Sequence, residues 1–290
     1  MQSQASKLRS TIETPGLRLM PCCFDALSAL LIERAGFALT FMSGFAVSAA
    51  RIGQPDTGLI SYGEMLDQGR NICATVGIPV IGDADTGYGN PLNVKRTVAG
   101  YAAAGFAAVM IEDQVAPKRC GHTEGKSVVD RGEAFDRIQA AVEARAEGAD
   151  ILILARTDAR ATHDLDEAIL RARTFSDIGA DILFVEAPRT ADEMRRVCAE
   201  APGIHLANLV HGGSTPILPP DELEAIGYRI AAYPVALLSA ATRAMNDALR
   251  AIRAGEAFDP GVSFEELRAI VGFDRYDAEL SRYGRDRQVD

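Results

Sequence analysis

One cysteine lies among three side chains that can carry positive charge, in the segment Lys118-Arg119-Cys120-Gly121-His122. Neighbouring cations lower the pKa of a thiol and so raise its thiolate fraction. Cys120 is therefore predicted to act as an acid or a nucleophile near neutral pH, with Lys118 and His122 tuning the thiol. In isolation the segment would equally suit an ordinary loop cysteine. The other polar residues of the chain are therefore needed to choose between a reactive and an ordinary thiol.

Two carboxylates stand two positions apart, Asp83 and Asp85, within the glycine-rich stretch 82–90. Side chains two apart on an extended segment point the same way, and like charges so close repel unless a cation or proton relieves them. Mg²⁺ suits such a site, because it takes one or two protein carboxylates and keeps waters or substrate oxygens. A solvated turn is the alternative. Glu112, which ends the next apolar run, favours the metal site.

Further polar residues follow other apolar runs. Ser43-Gly44-Phe45 offers consecutive backbone N–H groups that can hold a carboxylate or an oxyanion. Arg156 and Glu186 each close a buried run, where a charge needs a partner. We expect an ion pair between Arg156 and Glu186, bidentate binding of a substrate carboxylate by Arg156, or both.

The elements that must position these residues alternate between apolar runs and helix-like segments. Several of the runs are continuous apolar blocks, which is typical of parallel strands buried on both faces. About eight such repeats in 290 residues predict a single (β/α)₈ barrel over 1–290, with 255–290 as a C-terminal helical extension. An open doubly wound sheet is the alternative, but no phosphate-binding glycine pattern follows the first run. The predicted strands are Leu17–Cys23, Ala38–Met42, Ile78–Gly82, Ala107–Ile111, Ile151–Ala155, Ile182–Val185, His205–Ala207 and Tyr228–Ala232.

Composition excludes several classes of protein. The formal net charge of −10 argues against a nucleic-acid partner, which selects for basic patches. No apolar run reaches the roughly 18 residues of a membrane span, and the first residues lack the apolar core of a signal peptide. The five cysteines are odd in number and form no CxxC pair, so a zinc site or a disulfide framework is not expected. A reducing cytoplasm is the expected compartment.

The ordered motifs of this chain resemble those of the isocitrate lyase/phosphoenolpyruvate mutase superfamily. Within it, Lys-Arg-Cys-Gly-His is similar to the lyase branch, which cleaves carbon–carbon bonds, whereas members that act on C–P bonds generally lack that cysteine. The matching sequences are Met42-Ser-Gly, Pro55-Asp56, Gly82–Asn90, Ile111-Glu-Asp-Gln, Pro117–His122, Ala155-Arg-Thr-Asp-Ala159, Phe184-Val-Glu-Ala-Pro188 and Thr215-Pro216.

The resemblance implies a Mg²⁺-dependent retro-aldol cleavage of a 2-hydroxy dicarboxylate into an α-keto acid, such as pyruvate, and a carboxylate. Mn²⁺ could replace Mg²⁺. Cys120 would protonate the departing enolate, and Lys118 or a metal-bound group would be the base. Family members are tetramers with an exchanged C-terminal helix, so a homotetramer is expected. By position, the implied metal shell is Asp83 and Asp85, with Asp56 and Glu112 holding metal-bound waters; the implied substrate contacts are Ser43, Gly44, Phe45, Gly121, Arg156, Glu186, Asn208 and His211.

Two departures from the family pattern bear on the substrate. His211 stands where methylisocitrate lyases usually have an acid, and Ser239 stands where they carry an arginine. One fewer rim arginine favours a dicarboxylate such as a 2-alkylmalate or dimethylmalate over a tricarboxylate. Methylisocitrate cleavage, oxaloacetate hydrolysis or decarboxylation, and C–P mutase or hydrolase chemistry remain alternatives. The density of unlike polar groups at one rim disfavours a non-enzymatic barrel.

Overall fold

Eight parallel strands close into a barrel in a computed structural model that describes residues 2–121 and 125–283. Each strand pairs with the next along the chain, and β8 returns to β1 through the register Arg18↔Ile230. This confirms the predicted (β/α)₈ fold and excludes the open sheet. The strands are β1 (Arg18–Cys23), β2 (Thr40–Met42), β3 (Val80–Asp83), β4 (Ala108–Glu112), β5 (Leu152–Thr157), β6 (Ile182–Val185), β7 (His205–Asn208) and β8 (Tyr228–Tyr233).

Helices separate the strands, and their ends follow from capping residues. Asn90 caps the helix that begins at Pro91, and Gly105 ends it with a φ of 97°, which a residue without a Cβ adopts at little cost. The helices are α1 (Gln4–Glu13), α2 (Ala26–Arg34), α3 (Gly44–Val47) with a π-turn at Ser48–Ile52, α4 (Tyr62–Thr75), α5 (Pro91–Ala104), α6 (Arg131–Ala146), α7 (Ala159–Thr162), α8 (Leu165–Ile178), α9 (Ala191–Glu200), α10 (Pro220–Ile226), α11 (Ala236–Ala254), α12 (Phe264–Val271) and α13 (Phe273–Ser281).

Helix α1 closes the amino-terminal end of the barrel. Leu8 and Ile12 are buried in the same apolar cluster as the interior strand residues, and each such burial stabilises the fold by about 1.5–3 kcal/mol. On its polar side, Lys7 Nζ donates to the carbonyl of Gly77, just before β3. The barrel interior is thus closed at its amino-terminal end, so a ligand can enter at the carboxyl ends of the strands.

The chain divides into two compact units, Met1–Leu238 and Ser239–Asp290. The first is the barrel. In the second, no residue from 239 to 283 is buried, and α11, α12 and α13 expose large apolar side chains such as Leu249, Phe264 and Tyr276. Across the described parts of both units, no helix combines the length and the apolar character that a membrane crossing needs.

Candidate active site

The carboxyl ends of the strands carry the charged residues singled out from the sequence. Asp83 ends β3, Glu112 ends β4 and Asn208 ends β7, while Arg156 is the last but one residue of β5 and Glu186 directly follows β6. Because all the strands are parallel, these positions meet at one end of the barrel. All but Asn208 are buried there, so their charges need partners in the protein or in a ligand.

An ammonium group bridges two buried carboxylates at this end. Lys118 Nζ lies 2.5 Å from Asp56 Oδ1 and 2.9 Å from Asp85 Oδ1. Burial raises the pKa of Asp85, Lys118 lowers it and Asp83 raises it, with a result of about 6. For Lys118, burial lowers the pKa, but Asp85 and Asp56 outweigh burial and raise it well above its usual value. Lys118 is therefore held as an ammonium in this arrangement.

Asp83 is fixed by two backbone N–H groups. Gly44 N donates to Asp83 Oδ2 and Asp85 N donates to Asp83 Oδ1, each at 3.0 Å. A Cβ on Gly44 would lie 2.5 Å from Asp83 Oδ2, so only glycine allows this approach. Asp83 and Asp85 do not lie on one extended segment as expected, because β3 ends at Asp83 and Asp85 has a left-handed φ of 49°. The turn nevertheless keeps both carboxylates buried at the rim.

Arg156 lies among three carboxylates. Its Nε is 2.8 Å from Asp158 Oδ2 and 3.3 Å from Glu112 Oε2, and its Nη2 is 3.1 Å from Glu186 Oε2. The expected Arg156–Glu186 ion pair is therefore confirmed. Asn208 Nδ2 donates to the same Glu186 oxygen at 3.2 Å. Burial raises the pKa of Glu112, although Arg156 lowers it, and the result is well above the usual value.

The segment that carries the cysteine lies against this cluster. Cys120 is half-buried and Gly121 is buried; a Cβ on Gly121 would lie 2.5 Å from both Arg156 Nη2 and Glu186 Oε2. The backbone beside Cys120 thus packs directly on the Arg156–Glu186 pair, as close as a glycine permits. The residue that carries the thiol is therefore the chain neighbour of a backbone position that packs on Arg156 and Glu186.

Other predicted residues are placed differently. Ser43 is buried, and its hydroxyl caps α3 by accepting from Ala46 N at 3.4 Å. Phe45, on the first turn of that helix, is 39% exposed. His211 is exposed in the turn after β7. His122 lies outside the described residues.

The carboxylates at the rim suit a hard divalent ion, although residues 2–121 and 125–283 contain no ready-made group of three acidic, histidine or cysteine ligands. Mg²⁺ needs only one or two protein carboxylates and keeps waters. Glu112 Oε1 is buried and has no hydrogen-bond partner among the described residues, which leaves an acceptor for a metal-bound water. Asp85 and Asp83 supply the oxygen ligands of the right chemistry, so the donor set fits Mg²⁺.

One residue at the site, Lys126, escapes the sequence patterns. Lys126 Nζ lies 2.8 Å from Asp158 Oδ1 and also donates to the carbonyl of Gly121. Asp158 has a sequence signal, since it belongs to the motif Ala155-Arg-Thr-Asp-Ala159 and directly follows β5. Lys126 has none, because a lysine in a polar loop normally extends into solvent.

Asp113 does not line the site; it stabilises the backbone of the residues that do. It accepts from Asp158 N at 2.9 Å, from Thr157 Oγ1 at 2.6 Å and from Arg171 Nη1 at 3.0 Å. Both oxygens of Asp113 are thereby used in fixing the end of β5. This arrangement holds the backbone of Asp158 in place beside Arg156.

Comparison with known proteins places these features in context. Residues 8–253 match the family model described as phosphoenolpyruvate phosphomutase. The 2,3-dimethylmalate lyase of Eubacterium barkeri is 42% identical over 275 residues, which cover 93% of this chain and 95% of that protein. A structure of oxaloacetate acetylhydrolase with 3,3-difluorooxalacetate has a TM-score of 0.93 at 36% identity and covers 98% of both chains. Phosphonopyruvate hydrolase in complex with oxalate and Mg²⁺ has a TM-score of 0.85 at 31% identity, covering 97% of this chain and 99% of that one.

Proposed function

The chain belongs to the PEP mutase/isocitrate lyase superfamily, and we propose that it is a Mg²⁺-dependent lyase that cleaves a 2-hydroxy dicarboxylate of the 2-alkylmalate class. The products are an α-keto acid, such as pyruvate, and a carboxylate. One observation carries the proposal: the Cys120–Gly121 backbone packs on the Arg156–Glu186 pair. An acid and a carboxylate-binding cation are thereby brought to one place, beside the carboxylates that suit the metal.

Arg156 is assigned to a substrate carboxylate. Its guanidinium forms planar pairs with carboxylates, and it lies at the mouth of the barrel with Gly121 over it. Glu186 orients it through the contact at 3.1 Å, and Asn208 in turn donates to that Glu186 oxygen at 3.2 Å. The N–H groups of the Ser43–Phe45 turn are assigned to aligning Asp83 and the neighbouring substrate oxygens.

The chemistry follows from what each group can do. When bound at Asp83 and Asp85, with Asp56 and Glu112 on its waters, Mg²⁺ or Mn²⁺ would supply Lewis-acid stabilisation of developing negative charge. The 2-hydroxyl proton would pass to a metal-bound group, the C2–O bond becomes a carbonyl, and the C2–C3 bond breaks with its electron pair left on C3 as the enolate of the departing carboxylate. Cys120 donates its thiol proton to C3. The ammonium of Lys118 stabilises negative charge on this path and does not serve as a base in this arrangement.

The substrate class follows from charge and from family pattern. His211 and Ser239 stand where methylisocitrate lyases carry an acid and an arginine, and both are exposed here. By the family resemblance, the substrate site has one cation fewer, which suits a dicarboxylate. Oxaloacetate hydrolysis is the second candidate, because the similar structure of oxaloacetate acetylhydrolase binds a difluorinated oxaloacetate.

The assembly and compartment follow from surface and cysteine chemistry. The family resemblance implies a homotetramer with an exchanged C-terminal segment. The exposed apolar side chains of α11, α12 and α13, which suit burial against another copy of the chain, support this assembly. None of the five cysteines forms a disulfide, as in a reducing cytoplasm. A helical extension from residue 255 stays a prediction.

A product assay tests the proposal. The protein is incubated with Mg²⁺ and, in turn, 2-alkylmalates, methylisocitrate, oxaloacetate and phosphonopyruvate, and the products are identified by NMR. Keto-acid release from an alkylmalate that stops with a chelator and returns with Mg²⁺ supports the lyase. Formation of oxalate and acetate from oxaloacetate, without cleavage of any alkylmalate, would contradict the lyase proposal and support oxaloacetate hydrolysis instead.

A cysteine substitution tests the acid role within that assay. Cys120→Ser is expected to lower kcat by about 10²–10⁴-fold, the usual contribution of a positioned acid, with little change in KM. Cys73→Ser, on α4, is the control and should retain activity. Full activity of Cys120→Ser would remove the proton donor from the mechanism.

A further inference from the structure

Lys126 is a buried cation that no sequence motif assigns. Its side chain is only 3% exposed, and its Nζ lies 2.8 Å from Asp158 Oδ1, which is fully buried. The same ammonium donates to the carbonyl of Gly121. A lysine rarely loses its hydration unless it is paired and hydrogen-bonded, and here both partners belong to the candidate site.

The bond to Gly121 fixes the backbone next to the thiol. On the other side of Cys120, the segment is held at Arg119, whose N–H donates to Gln114 Oε1 at 2.9 Å and whose carbonyl accepts from Gln114 Nε2 at 2.8 Å. Cys120 therefore lies between two anchors. Without Lys126, the Gly121 anchor is lost, while the Arg119 anchor remains.

The bond to Asp158 links Lys126 to Arg156. Asp158 also accepts from Arg156, with Nε at 2.8 Å and Nη2 at 3.1 Å, so one carboxylate is shared by two cations. Burial raises the pKa of Asp158, but Arg156 and Lys126 outweigh burial and lower it to about 2. If Lys126 is removed, Arg156 alone faces Asp158, Glu112 and Glu186, and the local charge becomes less favourable to an anion.

From these contacts we infer that Lys126 is a positioning residue that sets both the placement of Cys120, through Gly121, and the readiness of Arg156 to bind a carboxylate, through Asp158. The Arg156 half of this inference rests on the proposed function. The Cys120 half does not, because thiol accessibility is measurable without turnover.

The first test measures the alkylation rate of Cys120. The Mg²⁺-loaded protein is treated with iodoacetamide, and modification of Cys120 is followed by peptide mass spectrometry. Lys126→Met is expected to alkylate at least about fivefold faster than wild type, because the loosened backbone opens locally more often. The control is Lys7→Met, which removes another lysine–carbonyl hydrogen bond, at the amino-terminal end of the barrel. Equal alkylation rates in Lys126→Met and Lys7→Met would show that Lys126 does not position Cys120.

Lys126→Met leaves the buried Asp158 with one cation fewer, which could destabilise the fold and so raise the alkylation rate. A second pair of variants controls for this effect. Asp158→Asn keeps an acceptor for Lys126 and preserves the Gly121 bond, so Cys120 should alkylate slowly. The double variant Lys126→Met/Asp158→Asn removes both charges of the pair, and Cys120 should alkylate fast. If the two variants react at the same rate, the Gly121 anchor does not place the thiol.

The third readout separates KM from kcat on the dicarboxylate identified by the product assay. Lys126→Met should raise KM by about tenfold, because Asp158 then pairs with Arg156 alone and weakens the attraction of Arg156 for a substrate carboxylate. The same variant should also lower kcat, because Cys120 is misplaced. Lys126→Arg keeps the charge and should recover KM more than kcat. A fall in kcat with unchanged KM would overturn the Arg156 half, whereas absence of any turnover in wild type would count against the proposed function alone.

Discussion

Lys118 Nζ lies 2.5 Å from Asp56 Oδ1, and both side chains are almost completely buried. The same ammonium is 2.9 Å from Asp85, so a single cation compensates two carboxylates. Lys118 is thus needed for the electrostatic balance of the site before any substrate is bound. Its removal leaves two buried carboxylates without the ammonium that pairs with both of them.

Replacement of Lys118 by methionine should therefore destabilise the metal-free protein. Breaking a buried pair by removing one partner costs about 3–5 kcal/mol, because the remaining charge is uncompensated. Urea unfolding in the presence of a chelator measures the loss, with Lys7→Met as the control. Mg²⁺ should restore part of the loss in Lys118→Met, since it supplies the missing charge; a loss that is the same with and without Mg²⁺ would argue against binding at these carboxylates.

Gly44→Ala should disable the site without unfolding the barrel. The new Cβ would lie 2.5 Å from Asp83 Oδ2, so the carboxylate must move away from its backbone donor. A displacement of about 1 Å at a reacting centre can cost 10²-fold in rate, and kcat/KM for the dicarboxylate measures it. Gly63→Ala is the matched control: its Cβ meets only Ser61 Oγ at 3.9 Å, and activity should be unchanged. Equal activities of the two variants would show that Asp83 tolerates the shift.

The sequence predicts the scaffold better than the details of the site. The buried runs of parallel strands and caps such as Gly105 and Gly179 are local signals, and α5 and α8 each end at the residue before such a glycine. The ion pairs of the buried side chains of Asp85 and Lys126 are not local. They depend on contacts with residues up to 33 positions away, Lys118 for Asp85 and Asp158 for Lys126, which periodicity does not encode.

Acid should weaken the fold partly through Asp158. Arg156 and Lys126 overcome the effect of burial and lower the pKa of Asp158 from 3.8 to about 2. A carboxylate with a lowered pKa stabilises the folded state above its unfolded pKa, and that contribution is lost as the pH falls from about 4 to about 2. The difference in unfolding free energy between wild type and Asp158→Asn should therefore shrink over this window.

Urea titrations at several pH values measure that difference. Asp192→Asn is the control, because the Asp192 side chain is 90% exposed and pairs with Arg195 on the same helix; its difference from wild type should be small throughout. A wild-type advantage over Asp158→Asn that stayed constant from about pH 5 to about pH 3 would contradict a lowered pKa.

Arg156→Lys should separate charge from geometry at the substrate carboxylate. Lysine keeps the positive charge but lacks the planar pair of donors, so KM should rise about 10- to 100-fold, as expected for the loss of a charge-assisted hydrogen bond worth roughly 1.5–3 kcal/mol. The control is Arg160→Lys, since Arg160 also makes a two-pronged pair with a carboxylate, to Glu193 at 2.9 Å and 2.7 Å. Steady-state kinetics on the dicarboxylate and on its monomethyl esters give the sharpest comparison. Wild type should discriminate strongly against the ester that masks the carboxylate bound by Arg156, whereas Arg156→Lys should lose most of that discrimination; an unchanged preference would assign this carboxylate to another group.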